Sequence, residues 1–151
     1  MATIRVDAER TIAAPPDKVY RCIADYKEQR TAWLPPQYSD YAVQKGGHGG
    51  GTVYRYLLTV GNRKRAYTLS VSEPAQGSTL VEQDTGSTLS NTWKVSPQGS
   101  GSRVTLHTEW QGHGGFGGFM ERLFAPRALK GVYDDELARL ERYLTTGTGP
   151  R

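Results

Sequence analysis

The sequence predicts an α+β fold in which a curved antiparallel sheet of about six to seven strands wraps around one long C-terminal helix. Three observations predict it. The first strand is followed by two short helical segments, the middle of the chain carries short strands separated by glycine and turn residues, and apolar residues near the C-terminus recur at helical spacing. A sheet with one apolar face must bury that face, and the C-terminal helix is the only predicted element long enough to cover it.

The N-terminal segment predicts a strand and two short helices. Apolar and polar residues alternate over residues 3–13, which indicates a half-buried strand. Pro16 and Asp17 then suit the first turn of a helix, because proline has no amide hydrogen to leave unpaired and Asp favours the positive end of the helix dipole. A second short helix is expected over residues 27–33 and ends before Pro35.

The middle of the chain predicts a series of antiparallel strands. Gly61 and Asn62 can adopt the positive backbone angles of a tight turn, so the strands on either side of them form a long hairpin. The predicted strands cover residues 38–45, 52–60, 64–73, 79–85, 89–95 and 103–111.

The last segment predicts a long amphipathic helix. Its apolar residues fall three or four apart, or at multiples of these spacings. Pro126 interrupts the pattern, so we expect either a kink near Phe124 or a short helix leading into a longer one from about Pro126 to Leu144. Residues 1–146 are expected to form a single domain, and residues 147–151 a disordered tail. The apolar positions are Phe116, Phe119, Met120, Leu123, Leu129, Val132, Tyr133, Leu137, Leu140 and Leu144.

Composition excludes several classes of protein. The chain has 151 residues, of which 36% are hydrophobic and 23% charged, as in one globular domain. The net charge is +4, but basic and acidic residues are interspersed, so we expect no nucleic-acid partner. The charged N-terminus and the absence of a run of about 20 apolar residues predict no secretory signal, no integral membrane segment and a cytoplasmic location. We expect a monomer or weak dimer.

Four motifs resemble those of the START-like (SRPBCC) superfamily. They are residues 10–20 (RTIAAPPDKVY), the glycine-rich residues 46–52, residues 72–74 (SEP) and the run GGFGGF at 114–119 before residues 121–123 (ERL). This superfamily includes polyketide cyclases and dehydrases, Bet v 1-type proteins and lipid-transfer domains. The resemblance covers nearly the whole chain and implies a helix-grip fold with an apolar cavity. It implies no particular set of reactive residues.

The strand alternation predicts which side chains line that cavity. With the apolar face directed inward, tyrosines and a few polar groups punctuate an otherwise apolar chamber, which is how small-molecule sites fix a ligand's orientation. A filled core with hydroxyls at its edge is the alternative interpretation. The candidate ligand-binding residues are Tyr54, Tyr56, Tyr67, Leu69, Asn91, Trp93, Thr108, Trp110, Phe119, Met120, Leu123 and Tyr133.

Other side chains invite functional interpretations of their own. Trp33 and Tyr38 could gate an entrance or pack on the surface. Glu82 and Asp84 alternate on one strand face and could form an acid–base pair, although a solvated edge-strand face is the simpler interpretation. Cys22 lies on the apolar stripe of the first helix and is expected to be a buried thiol.

Metal and cofactor sites are not expected. The histidines, His48, His107 and His113, lie on different loops or faces without closely spaced carboxylates or cysteines. The glycine run near residue 114 lacks the preceding strand and later acid of a dinucleotide site.

Binding or transport of a hydrophobic small molecule, such as a lipid, polyketide or isoprenoid-like compound, is therefore the leading functional hypothesis. The alternative is a cofactor-free polyketide cyclase, aromatase or dehydratase that uses the same cavity, with Tyr54, Tyr56 or Tyr67 transferring a proton. A protein-interaction module with an incidental cavity stays open. The sequence leaves undecided whether the protein catalyses a reaction, and a titratable residue deep in the cavity would favour the enzyme.

Overall fold

The computed structural model describes residues 3–112 and 115–146, except for the side chains of 115–125. The described residues form seven strands and three helices, in the order that the sequence predicts. The elements are β1 (Thr3–Ile12), α1 (Pro16–Ala24), α2 (Arg30–Trp33), β2 (Tyr38–Lys45), β3 (Val53–Val60), β4 (Arg63–Ala75), β5 (Thr79–Asp84), β6 (Ser90–Gln98), β7 (Gly101–Gln111) and α3 (Gly115–Thr146).

All seven strands belong to one antiparallel sheet. Its order is β1-β7-β6-β5-β4-β3-β2, so β2 to β7 follow one another as a meander and β1 closes against β7. Gly61 and Asn62 join β3 to β4 as the sequence predicts, and of the two Gly61 has a positive φ, at +62°, whereas Asn62 does not. The observed sheet and its long C-terminal helix confirm the predicted fold class.

The inner face of the sheet carries the side chains that the alternation places there. Tyr56 lies directly opposite Tyr67, Glu82 opposite Asn91, and Asn91 opposite Thr108. Along β1 the apolar residues are buried while the intervening residues are largely exposed. The predicted strand faces are therefore correct for β1, β3, β4, β6 and β7.

Helix α3 covers the inner face with an apolar stripe. It continues through Pro126 as one helix, so the prediction of a separate short helix before Pro126 is wrong. A proline inside a helix removes one backbone hydrogen bond and can bend the helix without ending it. The buried residues of the stripe are Leu129, Val132, Tyr133, Leu137, Leu140 and Leu144.

The structure corrects two expectations about local exposure. Strand β5 is the fourth of seven strands, so Glu82 and Asp84 face inward at 1% and 5% exposure, and the solvated edge-strand interpretation is wrong. Trp33 is fully buried, edge-on against Trp93, and so neither gates an entrance nor packs on the surface. The first expectation failed because a sequence does not reveal which strand lies in the middle of a sheet.

Helix α2 is shorter than predicted, because it begins at Arg30 and not at residue 27.

Candidate ligand-binding site

Tyrosine rings form a continuous cluster on the inner face of β2, β3 and β4. Tyr56 contacts Tyr38 with ring centroids 4.9 Å apart and Tyr67 with centroids 5.7 Å apart. Tyr54 continues the cluster toward α1 and contacts Tyr26 at 4.6 Å. Most of these pairs are tilted rather than stacked in parallel, as aromatic quadrupoles prefer, and their rings give the interior an aromatic wall.

Glu82 is the hydrogen-bond centre of this wall. Its Oε2 accepts bonds from the hydroxyl of Tyr26 at 2.6 Å and from Nη2 of Arg30 at 3.1 Å. Its Oε1 accepts bonds from Nδ2 of Asn91 at 3.1 Å and Nε1 of Trp93 at 3.2 Å. Only an ionised carboxylate accepts four such bonds, so Glu82 carries a buried negative charge that the protein itself satisfies.

Arg30 supplies the balancing positive charge. Its guanidinium also donates to the backbone oxygen of Ile23, and its carbon lies 4.4 Å from the ring centroid of Tyr26 and 5.2 Å from that of Trp93. Burial is the largest single influence on the pKa of Arg30 and lowers it, but Glu82 and the neighbouring tyrosines together outweigh burial and raise the pKa well above its ordinary value. The pair is therefore a buried, fully charged ion pair enclosed by aromatic rings.

A hydrogen-bond relay connects Glu82 to helix α3. Asn91 donates to Glu82 through its amide nitrogen and accepts a 2.7 Å bond from the hydroxyl of Thr108 through its amide oxygen. Because the Thr108 proton is used in that bond, the Tyr133 hydroxyl, 2.7 Å away, is the donor to Thr108. The relay fixes the side chains that the sequence places at the polar points of the cavity.

Glu136 is a second buried carboxyl group, but its surroundings differ from those of Glu82. It lies on the inner side of α3 at 1% exposure, and the hydroxyl of Tyr38, at 2.8 Å, is the one donor to it among the described side chains. Burial raises the pKa of Glu136 to about 7, against the opposing influence of Arg30 and the Tyr38 bond. Burial also raises the pKa of Tyr38 well above its ordinary value, so Tyr38 keeps its proton and donates it. Glu136 thus exchanges a proton near neutral pH, whereas the oxygens of Glu82 are taken up by four hydrogen bonds from the protein.

The structure brings seven of the predicted ligand-binding residues together. Tyr54, Tyr56 and Tyr67 belong to the tyrosine cluster, while Asn91, Trp93, Thr108 and Tyr133 belong to the polar network around Glu82 and its relay. Leu69 is fully buried opposite Tyr54, and Trp110 is half-buried near the end of β7. Phe119, Met120 and Leu123 lie outside the residues whose side chains the structure describes. That these residues contact a ligand stays a prediction.

Sequence reasoning missed Glu136 and Arg30, and it named Glu82 only as a possible acid–base partner of Asp84. Glu136 stands four residues after Val132 and four before Leu140, within the apolar stripe of α3, and that spacing could have identified it. Glu82 alternates with the buried Leu80 in the same way. Arg30 carries no comparable signal, because a helix of four residues has no periodicity to read.

Cys22 is buried as predicted, and burial raises the pKa of its thiol to about 12.

The outer face of the sheet carries a separate depression of about 680 Å³ between β1, β6 and β7. Its charges largely neutralise one another, since Arg103 pairs with Glu9 and His107 lies 2.5 Å from Asp7. The hydrogen bond that the His107 ring donates to the Asp7 carboxylate raises the pKa of His107. This depression is polar and exposed, unlike the interior.

Comparison with known proteins relates the chain to one family. The family model described as "Polyketide cyclase / dehydrase and lipid transport" matches residues 3–145. The solution structure of KanY protein (ms6282) is 36% identical, with a TM-score of 0.85, and the match covers 95% of this chain and 99% of that one. No curated protein gives a significant match.

More distant structures share the fold. The Zhui aromatase/cyclase from Streptomyces sp. R1128 is 16% identical with a TM-score of 0.73, over 99% of this chain and 100% of that one. The major latex-like protein 151 from Panax ginseng is 9% identical with a TM-score of 0.75, over 95% and 98% of the two chains. Among the described residues, no helix combines the length and apolar character needed to span a membrane.

Proposed function

Because the chain belongs to the polyketide cyclase/dehydrase and lipid-transport family, we propose that it binds a hydrophobic small molecule between the sheet and α3, and that Glu136 moves a proton on that molecule. The protein is then a cofactor-free cyclase or dehydratase. The family supports either hydrophobic ligand binding or a cyclase role, and the buried, weakly partnered Glu136 favours the second.

The proton affinity of Glu136 suits acid–base catalysis. A group whose pKa lies near the working pH is present in both protonation states and can take up and return a proton within one reaction cycle. Tyr38 holds the carboxyl in place through Oε1 and lies beside the ring of Tyr56. A ligand lying against these tyrosines therefore has a proton acceptor next to it.

The chemistry that fits this arrangement is an intramolecular aldol condensation. Ionised Glu136 removes a proton from a carbon next to a ligand carbonyl, and the resulting enolate carbon forms a bond to a second carbonyl carbon of the same molecule. The oxygen of that second carbonyl takes the proton back from Glu136. Removal of another proton from the same carbon then expels the hydroxyl, which leaves as water with the proton that Glu136 returns.

Transport is the second candidate function, and the saturated network around Glu82 favours it. The polar groups of Asn91, Thr108 and Tyr133 are bonded to one another, so they do not require a ligand to satisfy them. A ligand held mainly by the aromatic wall gains its affinity from apolar burial, on the order of 25 cal/mol per Å². Such a site can release its ligand unchanged.

We further propose that the protein acts in the cytoplasm as a monomer or weak dimer and without nucleic acid. The interspersed acidic and basic residues support the absence of a nucleic-acid partner, since electrostatic binding to nucleic acid needs a continuous basic surface. Native mass spectrometry of the freshly purified protein gives its oligomeric state. The same measurement shows any apolar molecule that dissociates when the protein unfolds.

Ring closure of a synthetic diketone tests the enzymatic proposal. The probe carries a phenyl group at one carbonyl, a methyl group at the other and three methylene groups between them, and it closes to a phenyl-substituted cyclohexenone that absorbs in the ultraviolet. We expect the wild-type protein to accelerate closure and Glu136→Gln to lower kcat by about a hundredfold. Glu28→Gln removes the same charge from an exposed position and is the matched control. Equal rates for wild type and Glu136→Gln would leave transport as the better proposal.

A further inference from the structure

We propose that the interior of this protein selects uncharged aromatic molecules that carry a hydroxyl or carbonyl group, and rejects carboxylates such as fatty acids. This inference rests on the proposed binding of a hydrophobic molecule between the sheet and α3. It concerns the charge of the ligand, which the family description leaves open because polyketides and lipids include both neutral and anionic molecules.

The buried charges give the first reason. Among the side chains that the structure describes, the buried charged residues are one cation, Arg30, and four carboxylates, Asp25, Glu82, Asp84 and Glu136. Glu82 and Glu136 both lie on the inner side of the sheet–helix space. A ligand carboxylate would enter an interior that already holds an excess of negative charge, and moving an unpaired charge from water into such a space is costly.

The second reason is that the charge of Arg30 is already paired with Glu82, whose Oε2 lies 3.1 Å from Nη2. Its guanidinium bonds the backbone oxygen of Ile23 and the carboxylate of Glu82. Aromatic rings surround it, with the centroid of Trp33 at 5.1 Å and that of Tyr54 at 5.9 Å. An anionic ligand at Arg30 would compete with Glu82 for one buried cation and would place a second, uncompensated negative charge beside it.

The third reason is the hydrogen-bonding capacity of Glu136. Its ionised form can accept a bond from a ligand hydroxyl, and its protonated form can donate to a ligand hydroxyl or carbonyl, so a neutral hydroxyl fits both states and a carbonyl fits the protonated one. A ligand carboxylate has only acceptors and fits neither the ionised Glu136 nor the aromatic wall. The charged groups that act on Glu136 are Arg30 and Glu82 from the opposite side and Asp135 on α3, and the neutral hydroxyl of Tyr38 completes its surroundings.

The shape of the wall supports a flat ligand. Tyr54, Tyr56 and Tyr67 follow one another with centroids 5.7–5.8 Å apart and interplanar angles of 40–42°. Tyr38 meets Tyr56 edge-on at 74°. A planar aromatic ligand can lie on ring faces of this kind and place a polar substituent toward Glu136, whereas a flexible alkyl chain gains no stacking contacts.

A pair of naphthalene probes tests the inference. Naphthol and naphthoate share one ring system and differ in charge, so their dissociation constants, measured by calorimetry near pH 8, isolate the effect of the carboxylate. We expect wild-type protein to bind naphthol at least tenfold more tightly than naphthoate. Glu136→Gln should reduce the ratio of the two dissociation constants at least threefold, and the exposed control Glu28→Gln should leave that ratio unchanged.

The outcomes separate this inference from the proposed catalysis. Naphthoate binding as tight as naphthol binding, or an unaltered ratio in Glu136→Gln, overturns the charge selection even if the diketone still cyclises. A preserved naphthol preference without diketone turnover supports the selection and refutes only the proton transfer. Failure of both probes to bind overturns the selection together with the binding on which it rests.

Discussion

The Tyr38 hydroxyl donates a 2.8 Å hydrogen bond to Oε1 of Glu136 and so joins the edge strand β2 to helix α3 across the interior. The two residues are 98 positions apart in the chain. The bond crosses the space in which we propose a ligand binds, and it holds a carboxyl group whose proton exchanges near neutral pH.

The raised pKa of Glu136 predicts a pH-dependent stability. Between its unfolded value of 4.5 and its folded value of about 7, the folded protein keeps a proton that the unfolded chain has lost, so stability falls as pH rises through this window. The shift corresponds to on the order of 3 kcal/mol. Urea unfolding at about pH 5 and pH 8 should therefore show that Glu136→Gln becomes more stable relative to wild type at the higher pH. A constant difference between the two proteins would contradict the raised pKa.

The Arg30–Glu82 pair predicts a strong coupling between two substitutions. Arg30→Met leaves Glu82 buried without its cation and should lower the free energy of unfolding by about 3–5 kcal/mol. Adding Glu82→Gln removes the stranded charge, so the double variant should recover part of this loss. Chemical unfolding of the four proteins in the cycle measures the coupling, and simple additivity of the two single effects would argue against the ion pair.

The relay predicts that the Thr108 hydroxyl contributes more to the free energy of unfolding than the Tyr133 hydroxyl does. Tyr133→Phe removes the terminal donor and leaves Thr108 bonded to Asn91, so it should cost about 1 kcal/mol. Thr108→Val conserves shape but strands both the Tyr133 hydroxyl and the Asn91 amide oxygen, and it should cost about 2–3 kcal/mol. Thermal and urea unfolding of the two variants provide the comparison, and the reverse ranking would show that the relay is assigned wrongly.

Gly49 and Gly77 form a matched pair for a test of backbone packing. Both have positive φ, +63° and +89°, so alanine is strained at either position. A Cβ at Gly49 would collide with the carboxylate of Glu73, which bonds Tyr20 and the Gly50 amide, whereas a Cβ at Gly77 meets open space. We expect Gly77→Ala to cost about 1 kcal/mol and Gly49→Ala clearly more, as measured by their unfolding midpoints. Equal costs would mean that Glu73 moves aside freely.

The strand faces could be predicted because alternation reports directly on burial. Tyr54 and Tyr56 on β3, and Asn91 and Trp93 on β6, point inward as the period of two requires. The same reasoning misjudged the exposure of Glu82. Its inward position followed from the alternation, but the charge suggested an exposed edge, and only the sheet order reveals four donors converging on it from β6, α2 and the turn after α1.

The reactive part of the interior could not be predicted, because it joins residues that are distant in sequence. Tyr38 and Glu136 belong to a strand and a helix at opposite ends of the chain, and no spacing rule connects them. The pKa of Glu136 depends on burial from several elements at once, which is a property of the assembled fold. The abundance of tyrosine indicated a cavity lined by tyrosine side chains, yet the group best suited to move a proton is the carboxyl group of Glu136.

The pairing of β1 with β7 also governs how the chain reaches this fold. Strands β2 to β7 pair with their immediate successors and need only short loops to close, whereas Thr3 meets Gln111 across 108 positions. Closing so long a loop loses more entropy than forming a hairpin, so the meander can assemble early while β1 docks late. Until β1 arrives, the edge of β7 is a bare row of amide and carbonyl groups, and that intermediate is the species most exposed to pairing with another chain.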